Sequence, residues 1–152
     1  MVTQEQVKKL FDYKDGELYR KNGKKAGTIR PNGYKQIYMK GKTYLTHRII
    51  FMMFYGYLPK CIDHINNNKT DNRIENLREA THSENNYNSK LRKTTKSGCK
   101  NVHWAKDKNK WIVRTIVNKK FKFIGAFKDF ELAELVSIEA RNKYHKEFAR
   151  HN

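Results

Sequence analysis

Residues 62–85 read Ile-Asp-His-Ile-Asn-Asn-Asn-Lys-Thr-Asp-Asn-Arg-Ile-Glu-Asn-Leu-Arg-Glu-Ala-Thr-His-Ser-Glu-Asn, and they leave a chain few ways to fold. An apolar run ends on Asp63 and His64, a polar loop rich in turn formers follows, and residues 77–80 form a second short run. Residues 61–64 and 77–80 are the expected strands. Thr81 with Glu84 three residues later has the form of a capping box, so a helix is expected to start there with Asn85 in its first turn. A helix folded onto a two-stranded ribbon brings Asn85 back towards Asp63. A carboxylate beside an imidazole, followed by amides, can bind one hard cation and keep a general base next to it.

The flanking sequence is punctuated differently on the two sides. Residues 3–12 predict a short helix with Val7, Leu10 and Phe11 on one face. Asp15-Gly16, Asn22-Gly23, Asn32-Gly33 and Lys40-Gly41 then separate strand-like stretches at 17–19, 26–29, 34–39 and 42–45. Thr46 is expected to cap a helix through Ile49, Ile50, Met53 and Phe54 that stops near Gly56 and Pro59. Residues 90–98 form a basic polar linker without apolar periodicity. Beyond it, residues 101–106, 110–117 and 119–127 read as three strands, and Asp129 caps a helix carrying Ala133, Val136, Ala140 and Tyr144. In the middle strand Trp111, Val113, Thr115 and Val117 share the face expected to pack on that helix, leaving Lys110, Ile112, Arg114 and Ile116 on the other.

The expected fold is α+β: a small β-rich scaffold leading into strand–strand–helix, then a three-stranded antiparallel sheet packed on one C-terminal helix. The expected domains are 1–92 and 98–152, joined by a basic linker at 93–97.

Charge narrows the partners. The 152 residues carry 33 Lys and Arg against 15 Asp and Glu, a net +18, which self-repels unless a polyanion binds. From residue 90 to 128 there are 13 cations and one acid, Asp107. No wide-faced basic amphipathic helix stands out and the longest apolar run is too short to span a bilayer, so nucleic acid is favoured over a membrane. The N-terminus lacks the apolar core of a secretory signal, and a cytoplasmic location is expected. Two cysteines, Cys61 and Cys99, cannot build a Cys-rich zinc site; Cys61 reads as a buried strand residue.

Asp63-His64, then Asn76 twelve residues on and Asn85 nine further, resembles the ββα-metal motif of HNH endonucleases, in the branch that ends in Asn. The resemblance implies a DNA endonuclease with His64 as general base, Asp63 and Asn85 on one Mg²⁺ or Mn²⁺, and Asn76 bracing the loop and orienting His64. Turn chemistry accounts for Asn66 to Asn68. Arg78 either grips the scissile phosphate or pairs with Glu75 or Glu79. His47 and Arg48 are assigned to packing or the DNA backbone, and His82 to solvent.

Residues 97–152 resemble the Apetala-type (ethylene-response-factor) DNA-binding domain through Ser97-Gly98, Asn101-Val102, Lys110-Trp111, Ile124-Gly125-Ala126-Phe127 and the Glu-Ala-Arg and Glu-Phe-Ala elements of the last helix. Asn101 and Lys146 stand where that family has Gly. The resemblance implies a sheet laid in the major groove of double-stranded DNA, with Lys100, His103 and Arg114 facing the groove and Lys106 near a phosphate. Trp104 and Trp111 are expected in the core. Both resemblances imply a phage or mobile-element setting, including homing endonucleases. One metal site cuts one strand per visit, so a monomer nicks and double-strand cleavage needs a homodimer or two events. The rival from another class is a non-catalytic, sequence-specific DNA-binding regulator.

Overall fold

The structure, a computed structural model, describes residues 2–151 and divides them into two compact units, one ending at Thr81 and one beginning at His82. The first opens with helix α1 (Gln4–Leu10), capped by the Thr3 hydroxyl, which accepts from the Gln6 N–H. Strands β1 (Phe11–Lys14), β2 (Glu17–Arg20) and β3 (Lys25–Ala26) form one antiparallel sheet; β4 (Thr28–Ile29), β5 (Lys35–Met39) and β6 (Lys42–Leu45) form another. The Asx-Gly and Lys-Gly turns lie where the sequence places them. The β1 strand is an addition: the helical pattern absorbed Phe11, which instead pairs with Arg20 across the hairpin.

Helix α2 (Thr46–Tyr55) is the hub of this unit. Its Ile49, Ile50, Phe51, Met52 and Met53 are all buried, as suits a helix enclosed on most sides, and they pack with Val7, Phe11, Leu18 and Ile37. The helix stops at Gly56, whose φ of 78° lets its N–H bond Met52 O at 3.0 Å. Thr46 is not the cap. It is the first helical residue, Leu45 holds the cap position, and the Thr46 hydroxyl is buried without a hydrogen-bond partner.

After Pro59 the chain enters β7 (Cys61–His64), which pairs antiparallel with β8 (Leu77–Ala80), both as expected from the sequence. The register sets Asp63 opposite Arg78 and His64 opposite Leu77. A 3₁₀ turn over Ile74–Asn76 ends the intervening loop, and Asn67 takes a φ of 59° within it.

The second unit starts with α3 (His82–Tyr87), which carries Asn85. Strands β9 (Val102–Ala105), β10 (Lys110–Val117) and β11 (Lys120–Phe127) form an antiparallel sheet with β10 in the middle. Asn118 and Lys119 both have positive φ, the signature of the tight hairpin joining β10 to β11. Helix α4 (Phe130–His145) follows its cap Asp129, whose carboxylate accepts from the Leu132 N–H. Its Ala133 and Val136 pack on Val102, Trp111 and Val113. Trp104 departs from its expected core position: it is 40% exposed and meets Trp111 edge-on. Both cysteines are free, Cys61 half-buried and Cys99 buried. Among the described residues no helix is long and apolar enough to cross a membrane.

Candidate active site

The β7–β8 ribbon buries the polar pair that the sequence singles out. Residues alternate across a strand, so Asp63 and His64 point to opposite faces, and both are buried. On one face Asp63 Oδ2 accepts from Arg78 Nε at 2.9 Å and lies 2.8 Å from Arg78 Nη2. Arg78 therefore pairs with Asp63, a partner that the sequence did not point to. Glu79 instead accepts from the Tyr57 hydroxyl, and Glu75 lies 3.7 Å from Arg73.

On the other face His64 Nε2 donates to the side-chain oxygen of Asn72 at 2.9 Å. An amide oxygen only accepts, so the imidazole donates through Nε2 in this bond. Asn72 is 1% exposed, and its Nδ2 lacks a partner. His47 lies against His64, ring centroids 5.0 Å apart and nearly perpendicular, and Tyr34 flanks both. Burial, with help from His64 and Arg48, lowers His47 to about 3, so its imidazole is neutral at ordinary pH. His47 thus packs behind His64. Arg48 also has an architectural task, donating to Pro59 O just before β7.

The loop between the strands is held by its own amides. Asn76 Oδ1 accepts from the Asn66 N–H at 3.0 Å, and its Nδ2 donates to Asp71 O and Asn66 Oδ1. Asn66 Oδ1 accepts from the Asn68 N–H, and Asn68 Oδ1 from the Thr70 N–H, the short-range turn bonds that Asn-rich loops make. Arg73 holds the Asp71 carboxyl well below the usual carboxylate range. Asn76 braces the loop directly, while the bond to the imidazole comes from Asn72. Sequence reasoning passed over Asn72. Its signal was weak, one amide in a loop with several, and only the fold shows which of them reaches His64.

Among the described residues no three His, Cys, Asp or Glu side chains gather into a metal cage. A hard cation needs none: Mg²⁺ is commonly held by one or two protein oxygens, with waters and substrate phosphate completing its shell. Asp63 offers an anionic oxygen of the right kind. Asn85 lies on α3, in the second unit.

Within the second unit, the sheet face away from α4 presents Arg114, Ile116, Phe121 and Phe123, the two phenylalanines 71% and 64% exposed. The Arg114 guanidinium lies 4.9 Å from the Phe121 ring centroid. His103 and Arg114 line one surface hollow with both phenylalanines. Lys106 is exposed just after β9. Lys100 is turned elsewhere: it is half-buried, and its ammonium donates to the carbonyls of Ser89 and Arg150.

Comparison with known proteins bears on the same residues. The HNH endonuclease family profile matches residues 44–87, which run from β6 through α3. Protein 3.8 of Escherichia phage T7 is 34% identical over 121 residues, covering 77% of this chain and 95% of the phage protein. No solved structure matches significantly.

Proposed function

The chain belongs to the HNH endonuclease family, and we propose that it is a metal-dependent nuclease that hydrolyses a phosphodiester of double-stranded DNA, with His64 as general base. The observation that supports this reading is the 2.9 Å bond between His64 Nε2 and Asn72 Oδ1, which with the packing of His47 holds the buried imidazole in one orientation. A base that takes a proton from water needs an available lone pair on a nitrogen whose ring cannot swing, and burial between Asn72 and His47 supplies that restraint. Asp63 is the proposed anionic ligand of a divalent metal, Mg²⁺ or Mn²⁺, and the resemblance to the HNH motif implies Asn85 as a second oxygen ligand. When bound, that metal supplies charge stabilisation at the phosphate and the departing oxygen. Arg78 holds Asp63 in place and offers a guanidinium close to the same phosphate.

The C-terminal sheet is proposed as an Apetala-type DNA-binding module, with His103, Lys106 and Arg114 towards DNA and the protein working as a monomer or homodimer. The test is incubation of supercoiled plasmid with the protein and Mg²⁺, with EDTA as control. Nicking or linearisation that disappears in EDTA is expected, and His64→Ala should slow it by about 10²- to 10⁴-fold, the usual contribution of a placed general base. Binding without cleavage under all metals tried would return the protein to the rival reading, a DNA-binding regulator.

A further inference from the structure

The second unit contains a cavity of about 570 Å³ between the end of α3, the loop after it, β10 and α4. Its charged lining has one sign: Lys90, Arg92, Lys100, Lys119 and Arg141 contribute, and no carboxylate does. Arg141 is 1% exposed. Its Nη1 donates to Lys100 O at 2.8 Å and Ser137 Oγ at 3.1 Å, and its Nε reaches His151 Nδ1 at 3.3 Å. Its Nη2 has no partner, and neither has Nδ1 of the buried His145. A buried guanidinium with two of its five N–H donors unused, lining the same cavity as an unpaired imidazole nitrogen, is costly unless a partner fills the space. Water would satisfy the hydrogen bonds but add no negative charge to a lining whose ionised groups are all cations, with Glu134 the carboxylate acting on Arg141 from outside it. A phosphate oxyanion accepts from the guanidinium fork that it matches in shape, and its P–OH, or a proton taken up on binding, meets the His145 nitrogen.

We propose that this cavity is a phosphate-binding pocket in which Arg141 and His145 hold the phosphate group of a DNA strand or of a free nucleotide. The reading is independent of the nuclease assignment, since every lining residue lies in the second unit. His145 Nε2 donates to Ile116 O at 3.1 Å, so Nδ1 presents its lone pair, suited to the P–OH of a monoester or to a proton taken up with a diester. Tyr87 stacks on the His145 ring at 3.7 Å and fixes its plane. Burial and the neighbouring cations Arg141 and Arg150 push the Lys100 ammonium down to about 8, as expected where positive charge gathers without a counter-ion. Lys119, exposed in the β10–β11 turn, stands at the rim.

The experiment titrates the full chain with inorganic phosphate, with deoxyadenosine monophosphate and with a short duplex, at ionic strength held constant by chloride, while NMR follows the His145 ring signals. Phosphate should shift those signals and chloride should not. Arg141→Gln should weaken phosphate binding by about tenfold or more, the loss of one charge-assisted hydrogen bond. Should Arg141→Gln fail to fold, Lys119→Ala decides the matter: it should weaken binding several-fold with an unchanged thermal midpoint. Shifts caused by the duplex assign the phosphate to a DNA strand, and shifts caused only by phosphate and the mononucleotide assign it to a free nucleotide. Unmoved His145 signals with all three probes, or phosphate binding equal to wild type in Lys119→Ala and in any folded Arg141→Gln, overturn the pocket.

Discussion

Asn72 shows how the residue scale limits what a sequence reveals. Asp63 and His64 are adjacent in the chain and belong to a spaced pattern, so their importance is legible. Asn72 sits in a loop where Asn66, Asn67, Asn68 and Asn76 offer the same chemistry, and only folded coordinates select it. The Arg78–Asp63 pair was hidden for a similar reason, because it depends on strand register. As a positioning residue, Asn72 yields a specific prediction. Asn72→Ala should lower the cleavage rate by about 10-fold, the cost of one hydrogen bond to the base, with little change in DNA affinity. Asn72→Gln should not restore it, because the longer side chain does not fit a fully buried site; a parental rate in Asn72→Ala would remove the residue from the mechanism. His47 gives a second prediction, this one in stability. Its folded pKa lies below its unfolded value, so the unfolded chain binds a proton that the folded chain refuses as pH falls from 6.5 towards 3. His47→Phe, which removes that proton, should therefore narrow the gap between urea midpoints at pH 7 and pH 4.5, by the equivalent of about 2 kcal/mol.

At the scale of elements, most of the fold was readable because turn residues and periodicity agreed. The β7 and β8 strands, the β10–β11 hairpin and the Asp129-capped α4 all follow from local pattern. The elements that escaped were set by packing: Phe11 joins β1 because the hairpin needs it opposite Arg20, and Thr46 is the first residue of α2 because Leu45, the last of β6, takes the cap position. The β1–β2 turn also touches the β7–β8 loop that carries Asn72, a link that no sequence pattern announces. A Cβ built on Gly16 would meet Arg73 N at 2.7 Å and Asn72 C at 3.0 Å, and Gly16 has a φ of 80°. Tyr13 strengthens the same junction, its hydroxyl accepting from the Ile74 N–H at 3.1 Å. Gly16→Ala should therefore cost about 2 kcal/mol, from left-handed backbone and backbone contact together. It should also lower the cleavage rate by moving the backbone of Asn72. Thermal unfolding and plasmid assays on one preparation separate the effects: a destabilised variant that cuts at the parental rate per folded molecule would deny the link to Asn72.

For the molecule as a whole, charge is the dominant fact: a net +18 and a C-terminal segment with 13 cations between residues 90 and 128. Phosphate contacts supply sequence-independent affinity and base-edge contacts supply discrimination, so the proposed DNA module should show both in separable form. Arg114 is the residue best placed to read a base. It stands on the open sheet face, its guanidinium steadied over Phe121, in a hollow shared with His103. Arg114→Ala should reduce discrimination between a preferred and an unrelated duplex by about 1–3 kcal/mol, the worth of a bidentate base contact. Phe121→Ala should move in the same direction by less, since it frees the guanidinium without deleting it. Lys106→Ala should behave differently, weakening all duplexes alike and flattening the slope of log affinity against log salt by about one unit for each lost phosphate contact. Competition titrations at several salt concentrations distinguish the two patterns. If Arg114→Ala lowers affinity for every duplex by the same factor and flattens the salt slope as Lys106→Ala does, Arg114 is a phosphate contact and the sheet positions the nuclease without reading sequence there.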